Sequence, residues 1–298
     1  MQSINDQQRA SFVQLIADGS ATHGYGHISR SREVADAFSE SGFEVEFINL
    51  LERPSATLID HGKPGLVIID LPYPDDTWLN LARRRGNKVI GLDYLGQGSP
   101  DCLVRMNQPL TPIPCGRLFF GLEYAIIRKS VRDATPSRGV YALVSIGGAD
   151  VGNHGFTAAT TLSTLGLKTV LVRGPLSQDI GEAAADFTIV ESPPDFSGLL
   201  ARSSWVVSNG GTTMVEAMSL GKAVYVIPQT SEEERFARPL GAAGLLLGVG
   251  SHGLRVPTED EIVSTGRRAR KAVDTRGSER IVKLGQQLLG QKHFHPEA

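Results

Sequence analysis

Apolar residues along this chain gather in short runs, and between the runs they spread to every third or fourth position. FVQLIA (12–17) reads as a buried strand, FEVEFINL (43–50) alternates as a strand does, GLVIID (65–70) is strongly β-branched, and KVIGLD (88–93) reads as a further strand. After the first run, Val34, Ala35 and Phe38 fall at helical spacing and predict a helix over about 29–41. WLNLARRRG (78–86) reads as a second helix stopped by a glycine. Strand, helix, strand in alternation predicts a parallel sheet covered by helices on both faces. The rhythm weakens over 96–111, where glycine, proline and polar residues collect, and the polar DATPSRG (133–139) reads as an interdomain linker. Beyond it the strand pattern restarts with YALVSIG (141–147), LKTVLVRG (167–174), FTIVES (187–192), SWVVSNG (204–210) and AVYVIP (223–228), and a closing helix is expected over about 278–289. The fold class is therefore α/β, with two doubly wound Rossmann-like domains over 1–134 and 139–275, expected to face each other across a cleft. Residues 276–298 form a helix and tail expected to pack back on the first domain.

Composition narrows the function. With 298 residues and 41% hydrophobic side chains the chain can build two cores of ordinary size. The net charge of −2 carries no basic excess, which argues against a nucleic-acid partner. The two cysteines, Cys102 and Cys115, form no CxxC pair. The N-terminal MQSINDQQRA lacks the apolar core of a signal peptide, and no apolar run approaches the ~20 residues of a membrane span, so a cytoplasmic protein without a membrane partner is expected.

Three loops carry candidate chemistry. The first, ADGSATHGYGHISR, follows a strand and enters a helix. Gly24 and Gly26 permit a tight turn and close approach of a ligand, the helix entry offers free N–H groups, and His27 is suited to move a proton near neutral pH. The spacing is not the dinucleotide G-x-G-x-x-G, since residue 29 is serine. His23 and His27 stand four apart, but the intervening glycines disfavour one helix through both, so no metal site is expected. The second loop, after the 141–147 strand, holds Gly147, Gly148 and Asp150, which read either as a turn or as a backbone-lined phosphate pocket. The third is SNGGTTMVEAM, in which Asn209, Gly210 and Gly211 lead Thr212 and Thr213 into a helix bearing Glu216. Bare N–H groups and two hydroxyls at a helix start suit a pyrophosphate, and a carboxylate one turn on suits ribose hydroxyls. Strand-end carboxylates Asp18, Asp70 and Asp93 are further candidates. Asp18 is favoured because it adjoins the glycine loop.

Taken in order, these loops resemble the GT-B superfamily of nucleotide-sugar enzymes, and within it the UDP-sugar hydrolases of pseudaminic acid biosynthesis and the related spore-coat polysaccharide proteins. The likeness spans about residues 12–250. A G-x-G-H-x-x-R loop is matched by Gly24, Gly26, His27 and Arg30. A G-x-x-Y-A segment ending in arginine is matched by Gly121, Tyr124, Ala125 and Arg128. The G-G-x-D and G-G-T-T-x-x-E loops are matched by Gly147, Gly148 and Asp150, and by Gly210 to Thr213 with Glu216. The resemblance implies an enzyme without metal or other cofactor that releases UDP from a UDP-linked 2,4-diacetamido-2,4,6-trideoxyhexose by adding water at the anomeric carbon. His27 and Tyr73 would be catalytic. Asp18, Gly24, Gly26, Arg30 and the second- and third-loop residues would hold the UDP-sugar, with Glu216 on the ribose. Tyr73 falls one residue later than the family's tyrosine, and Glu232 and Glu233 stand about where the family carries an Asn-Gln pair.

Two other functions fit the same residues. One is a GT-B glycosyltransferase that uses an acceptor hydroxyl in place of water, for which the basic ARRRGNK (82–88) is a candidate acceptor-side patch. The other is a nucleotide-sugar-binding protein without turnover.

Overall fold

Phe12–Ala17 (β1) is buried along its whole length, as expected of a central strand in a sheet covered on both faces. Its one polar residue, Gln14, satisfies its amide on both sides of the Ile59 peptide, at 3.0 and 2.6 Å. The computed structural model describes residues 11–19, 25–109, 112–150, 152–174, 177 and 186–290. The chain divides into two compact units, the first taking in β1, residues His27–Tyr124 and the chain from Ser278 on, the second Ala125–Gly277.

In the first unit β1 is followed by α1 (Gly26–Glu40), β2 (Glu44–Asn49), β3 (Leu66–Asp70), α2 (Thr77–Arg84), β4 (Lys88–Leu92), β5 (Cys102–Arg105) and β6 (Arg117–Phe120). All six strands pair in parallel in the order β2-β1-β3-β4-β5-β6. Two differences from the sequence reading matter. α1 starts at Gly26, not near residue 29, so His27 and Arg30 lie on the helix. The stretch 96–111 is not irregular throughout, because it contains β5. That strand is only four residues long and is flanked by glycine, proline and bends, so its length masks its apolar content. Ile28, Ser31, Val34, Ala35 and Phe38 form the buried stripe of α1.

The second unit runs α3 (Lys129–Arg132), β7 (Ala142–Ser145), α4 (His154–Thr164), β8 (Thr169–Arg173), β9 (Thr188–Glu191), α5 (Phe196–Ala201), β10 (Trp205–Ser208), α6 (Thr212–Ser219), β11 (Val224–Val226), α7 (Ser231–Ala242), β12 (Gly248–Val249) and α8 (Glu259–Ala272). Its sheet is again parallel, ordered β12-β11-β10-β7-β8-β9. The polar stretch 133–139 belongs to this unit. Lys222, buried just before β11, donates to the Ser137 and Ser203 carbonyls, and burial pushes its amine down to about 8. α9 (Gly277–Leu288) then buries Ile281, Val282 and Leu284, and Arg280 donates to the Glu123 carbonyl at 2.7 Å within the first unit.

Each sheet reverses its winding once. In the first, β1 leads outward to β2 and the chain returns on the other side with β3. In the second, β7 leads to β8 and β9 and the chain returns with β10. Crevices beyond the carboxyl ends of strands at such switch points are where open α/β sheets bind ligands. The end of β1, the start of α1 and the end of β3 lie at one, and the described residues that follow β7 and β10 lie at the other. No described helix is long and apolar enough to cross a membrane.

Candidate functional site

At the first switch point the register sets Ala17 of β1 beside Asp70 of β3. Asp70 is 0% exposed. Three residues of α1 at i, i+3 and i+4 converge on it, because residues so spaced share one helix face. His27 Nδ1 lies 2.7 Å from Asp70 Oδ1, Arg30 Nε donates to Oδ2 at 2.8 Å and Arg30 Nη2 to Oδ1, and Ser31 Oγ donates to Oδ2 at 2.6 Å. Each carboxylate oxygen thus receives two contacts. Burial alone would push the Asp70 carboxyl up, but Arg30 and His27 more than offset it and hold it well below the ordinary carboxylate range. The same carboxylate, with Asp93, outweighs burial at Arg30 and fixes its charge.

This arrangement selects one tautomer of His27. Arg30 Nη2, a donor, stands 3.1 Å from His27 Nδ1 and by itself would favour a lone pair there, but the Asp70 oxygen is nearer, at 2.7 Å, and carries the full negative charge. A lone pair on Nδ1 would face the Asp70 anion, whereas a proton there is bonded by it. Nδ1 therefore carries the hydrogen, and Nε2 keeps the lone pair. The His27 side chain is 23% exposed while Asp70 is sealed, so the ring faces outward on a buried anion.

Asp18, just past β1, accepts from Gly19 N–H at 2.7 Å and from the Tyr73 hydroxyl. Burial, then the bond to Asp18, raise the Tyr73 phenol, so Tyr73 is a neutral donor at physiological pH. Gly26 is the first residue of α1. Gly24 and His23 lie outside the described residues. Among the described residues no group of three or more metal-ligating side chains is assembled.

At the second switch point Gly147 turns the chain with φ +73°, and a Cβ at Gly210 would lie 2.9 Å from the Glu233 carbonyl oxygen. Asp150 accepts from His154 and Gly155 N–H at 2.9 and 2.7 Å, which caps α4. α5, α7 and α8 are capped by Asp195, Thr230 and Thr258. α6, like α2 and the short α3, receives no side-chain cap from its N-cap, here Gly211, and Thr212 and Thr213 occupy its first turn. The N–H groups there are open to an anion. Beside them Asn209 Nδ2 donates to Glu233 Oε1 at 2.6 Å, while the buried Asn209 Oδ1 has no hydrogen-bond partner among the described residues. Glu233 also accepts from Gln229 N–H at 2.7 Å. Glu216 is 0% exposed and is gripped by Arg128, whose Nε and Nη2 reach Oε1 and Oε2 at 2.7 and 2.6 Å.

Sequence reasoning ranked Asp18 above Asp70 because Asp18 adjoins the glycine loop. Asp70 is the carboxylate that touches His27. The signal was present as H-x-x-R-S once α1 starts at Gly26, since that spacing puts His27, Arg30 and Ser31 on one face.

No protein-family model matches the chain, and no curated protein matches it. Solved structures do. MurG of Acinetobacter baumannii is 13% identical with a TM-score of 0.61, covering 93% of this chain and 99% of its own. The glycotransferase of kitacinnamycin is 13% identical with a TM-score of 0.63, covering 94% and 99%. MnaA of S. aureus, solved with UDP, is 13% identical with a TM-score of 0.60, covering 96% and 99%. At such identity the likeness concerns fold, and the fold is GT-B: two Rossmann-like units, each with a six-stranded parallel sheet flanked by helices.

Proposed function

We propose that this protein is a glycosyltransferase that moves a sugar from UDP to an acceptor hydroxyl, with His27 as general base. The observation that carries this reading is the outward-facing His27 ring fixed by buried Asp70 at a sheet switch point. The names of fold neighbours, among them the glycosyltransferases SnogD and CalG4 and the UDP-bound MnaA, support transfer from a nucleotide-linked donor.

In the proposed reaction His27 Nε2 takes the proton of the acceptor O–H. The oxygen bonds to the anomeric carbon as the bond from that carbon to the diphosphate breaks, and UDP leaves with the electron pair. Asp70 stabilises the imidazolium and keeps Nε2 aimed outward, a contribution in the ~10²–10⁴-fold range of general-base catalysis. Tyr73, kept protonated, donates a hydrogen bond with Asp18 behind it. The diphosphate is assigned to the uncapped start of α6, at Gly210, Gly211, Thr212 and Thr213, with Asn209, Gly147 and Gly148 around it and Asp150 holding the second loop on α4. A ribose hydroxyl reaches Glu216 only by sharing or displacing Arg128.

Hydrolysis is the second reading. The four loop motifs in sequence order support it, with His27 serving water as it would serve an alcohol and a UDP-linked 2,4-diacetamido-2,4,6-trideoxyhexose as the substrate. The test is UDP release from a panel of UDP-sugars in EDTA, with and without acceptor alcohols and in labelled water. Release that requires an acceptor supports transfer. Release without one, with label on the sugar, supports hydrolysis. UDP binding with no release from any donor, with or without acceptors, contradicts both and leaves a binding protein.

A further inference from the structure

The charges around His27 continue past Asp70. Arg30 Nη1 donates to Asp93 Oδ2 at 2.6 Å, and Arg105 Nε stands 3.5 Å from Asp93 Oδ1. Asp93 follows β4 and Arg105 closes β5, so the chain of contacts crosses the ends of neighbouring strands β3, β4 and β5. The signs alternate from Asp70 to Arg30, Asp93 and Arg105. Within the first unit and among the described residues, His27 is met by Asp70 from β3 and by Arg30 from its own helix. Asp93 and Arg105 stand further out, and Asp18, with Tyr73 donating to it, follows β1.

Two features show that this chain is built rather than incidental. Asp93 holds a left-handed φ of +48°, a conformation most side chains avoid and aspartate tolerates better, and its N–H is tied to the Val104 carbonyl at 2.9 Å. Arg105 is buried, and an ion there is expensive unless a carboxylate answers it. Electrostatically the arrangement divides charge. Arg30 drawn to Asp70 alone would quench the anion that faces His27. Asp93 claims part of Arg30, and Arg105 claims part of Asp93.

We propose that Asp93 and Arg105 are positioning residues that act on His27 through Arg30 and Asp70, Asp93 strengthening and Arg105 weakening the negative field at the ring. The functional meaning rests on His27 as the base, but the test does not. In the full-length protein labelled at histidine, the His27 ring resonances are followed by NMR against pH, assigned by their absence in His27→Gln. The midpoint is expected to move to lower pH in Asp93→Asn and to higher pH in Arg105→Met, by about half a pH unit to one unit each. The double variant is expected to return towards wild type. Shifts of opposite sign separate a field effect from loosened packing. Unchanged midpoints, or shifts of one sign in both variants, overturn the proposal. If Asp93→Asn does not fold, Arg105→Met decides it, and an unmoved or lowered midpoint overturns it. Midpoints that shift as expected while the pH–rate profile stays in place uphold this proposal and count against His27 as the base.

Discussion

Asp70 and Glu216 are both sealed carboxylates, and each is gripped on both oxygens by an arginine. They differ in what else reaches them. Asp70 shares its oxygens with an exposed-edge imidazole and a serine, and its arginine is itself shared with Asp93. Glu216 meets the side chain of Arg128 and, at 3.4 Å, its backbone N–H, while the guanidinium also stacks over Phe196 at 5.2 Å. A sealed carboxylate held by an arginine mainly fixes a local structure. One with a titratable ring at its open end passes a charge to the surface. The first unit is therefore the place to look for proton transfer, and the second for anion binding at a helix start.

The largest effect that would sharpen this contrast is on turnover. Asp70→Asn should lower kcat by ~10²–10⁴-fold, because the amide cannot hold Nδ1–H and stabilise the imidazolium as an anion does. Arg30 keeps Asp93 in that variant, so the protein should still fold. A rate within a few-fold of wild type would break the comparison from the first unit's side.

Next is stability. Glu216→Ala removes the carboxylate that holds the half-buried Arg128 guanidinium and should cost ~1–3 kcal/mol, read as the change in denaturation midpoint, with Glu216→Gln milder. If Glu216→Ala instead leaves stability intact and weakens UDP binding, Glu216 is a ligand residue and the contrast fails from the second unit's side.

The smallest effect is a pH slope. The folded Asp70 carboxyl is depressed below its unfolded value of ~3.9. The stability it contributes is full above that value and is lost as pH falls through the folded pKa. Acid unfolding of wild type should therefore be steeper below about pH 4 than that of Asp70→Asn. Parallel acid limbs would show that the network does not favour the anion.

Much of this was legible in the chain itself. β1, β3, β7 and β10 are runs of apolar residues long enough to announce themselves, and they are the four strands that flank the two switch points. In the sequence, glycine-bearing stretches follow β1, β7 and β10 directly. β5, β6 and β12 were not legible, since two to four residues between glycine, proline and bends carry no period of their own. Asp70 looked like one strand-end aspartate among three because its meeting with His27, 43 residues away, depends on pairing β1 with β3. Arg128 and Glu216 are 88 residues apart, and no local pattern joins them. Helix spacing could have linked His27, Arg30 and Ser31, but the start of α1 is rich in serine and glycine and poor in apolar side chains, which hid its first turn.

The central claim is that His27 moves the proton while the second unit holds the nucleotide. The most direct test compares wild type with His27→Gln in two assays: UDP release from the donor that wild type turns over, and UDP affinity. The account predicts that His27→Gln loses ~10²-fold or more in rate while its UDP dissociation constant stays within a few-fold. Near-wild-type release by His27→Gln would contradict it.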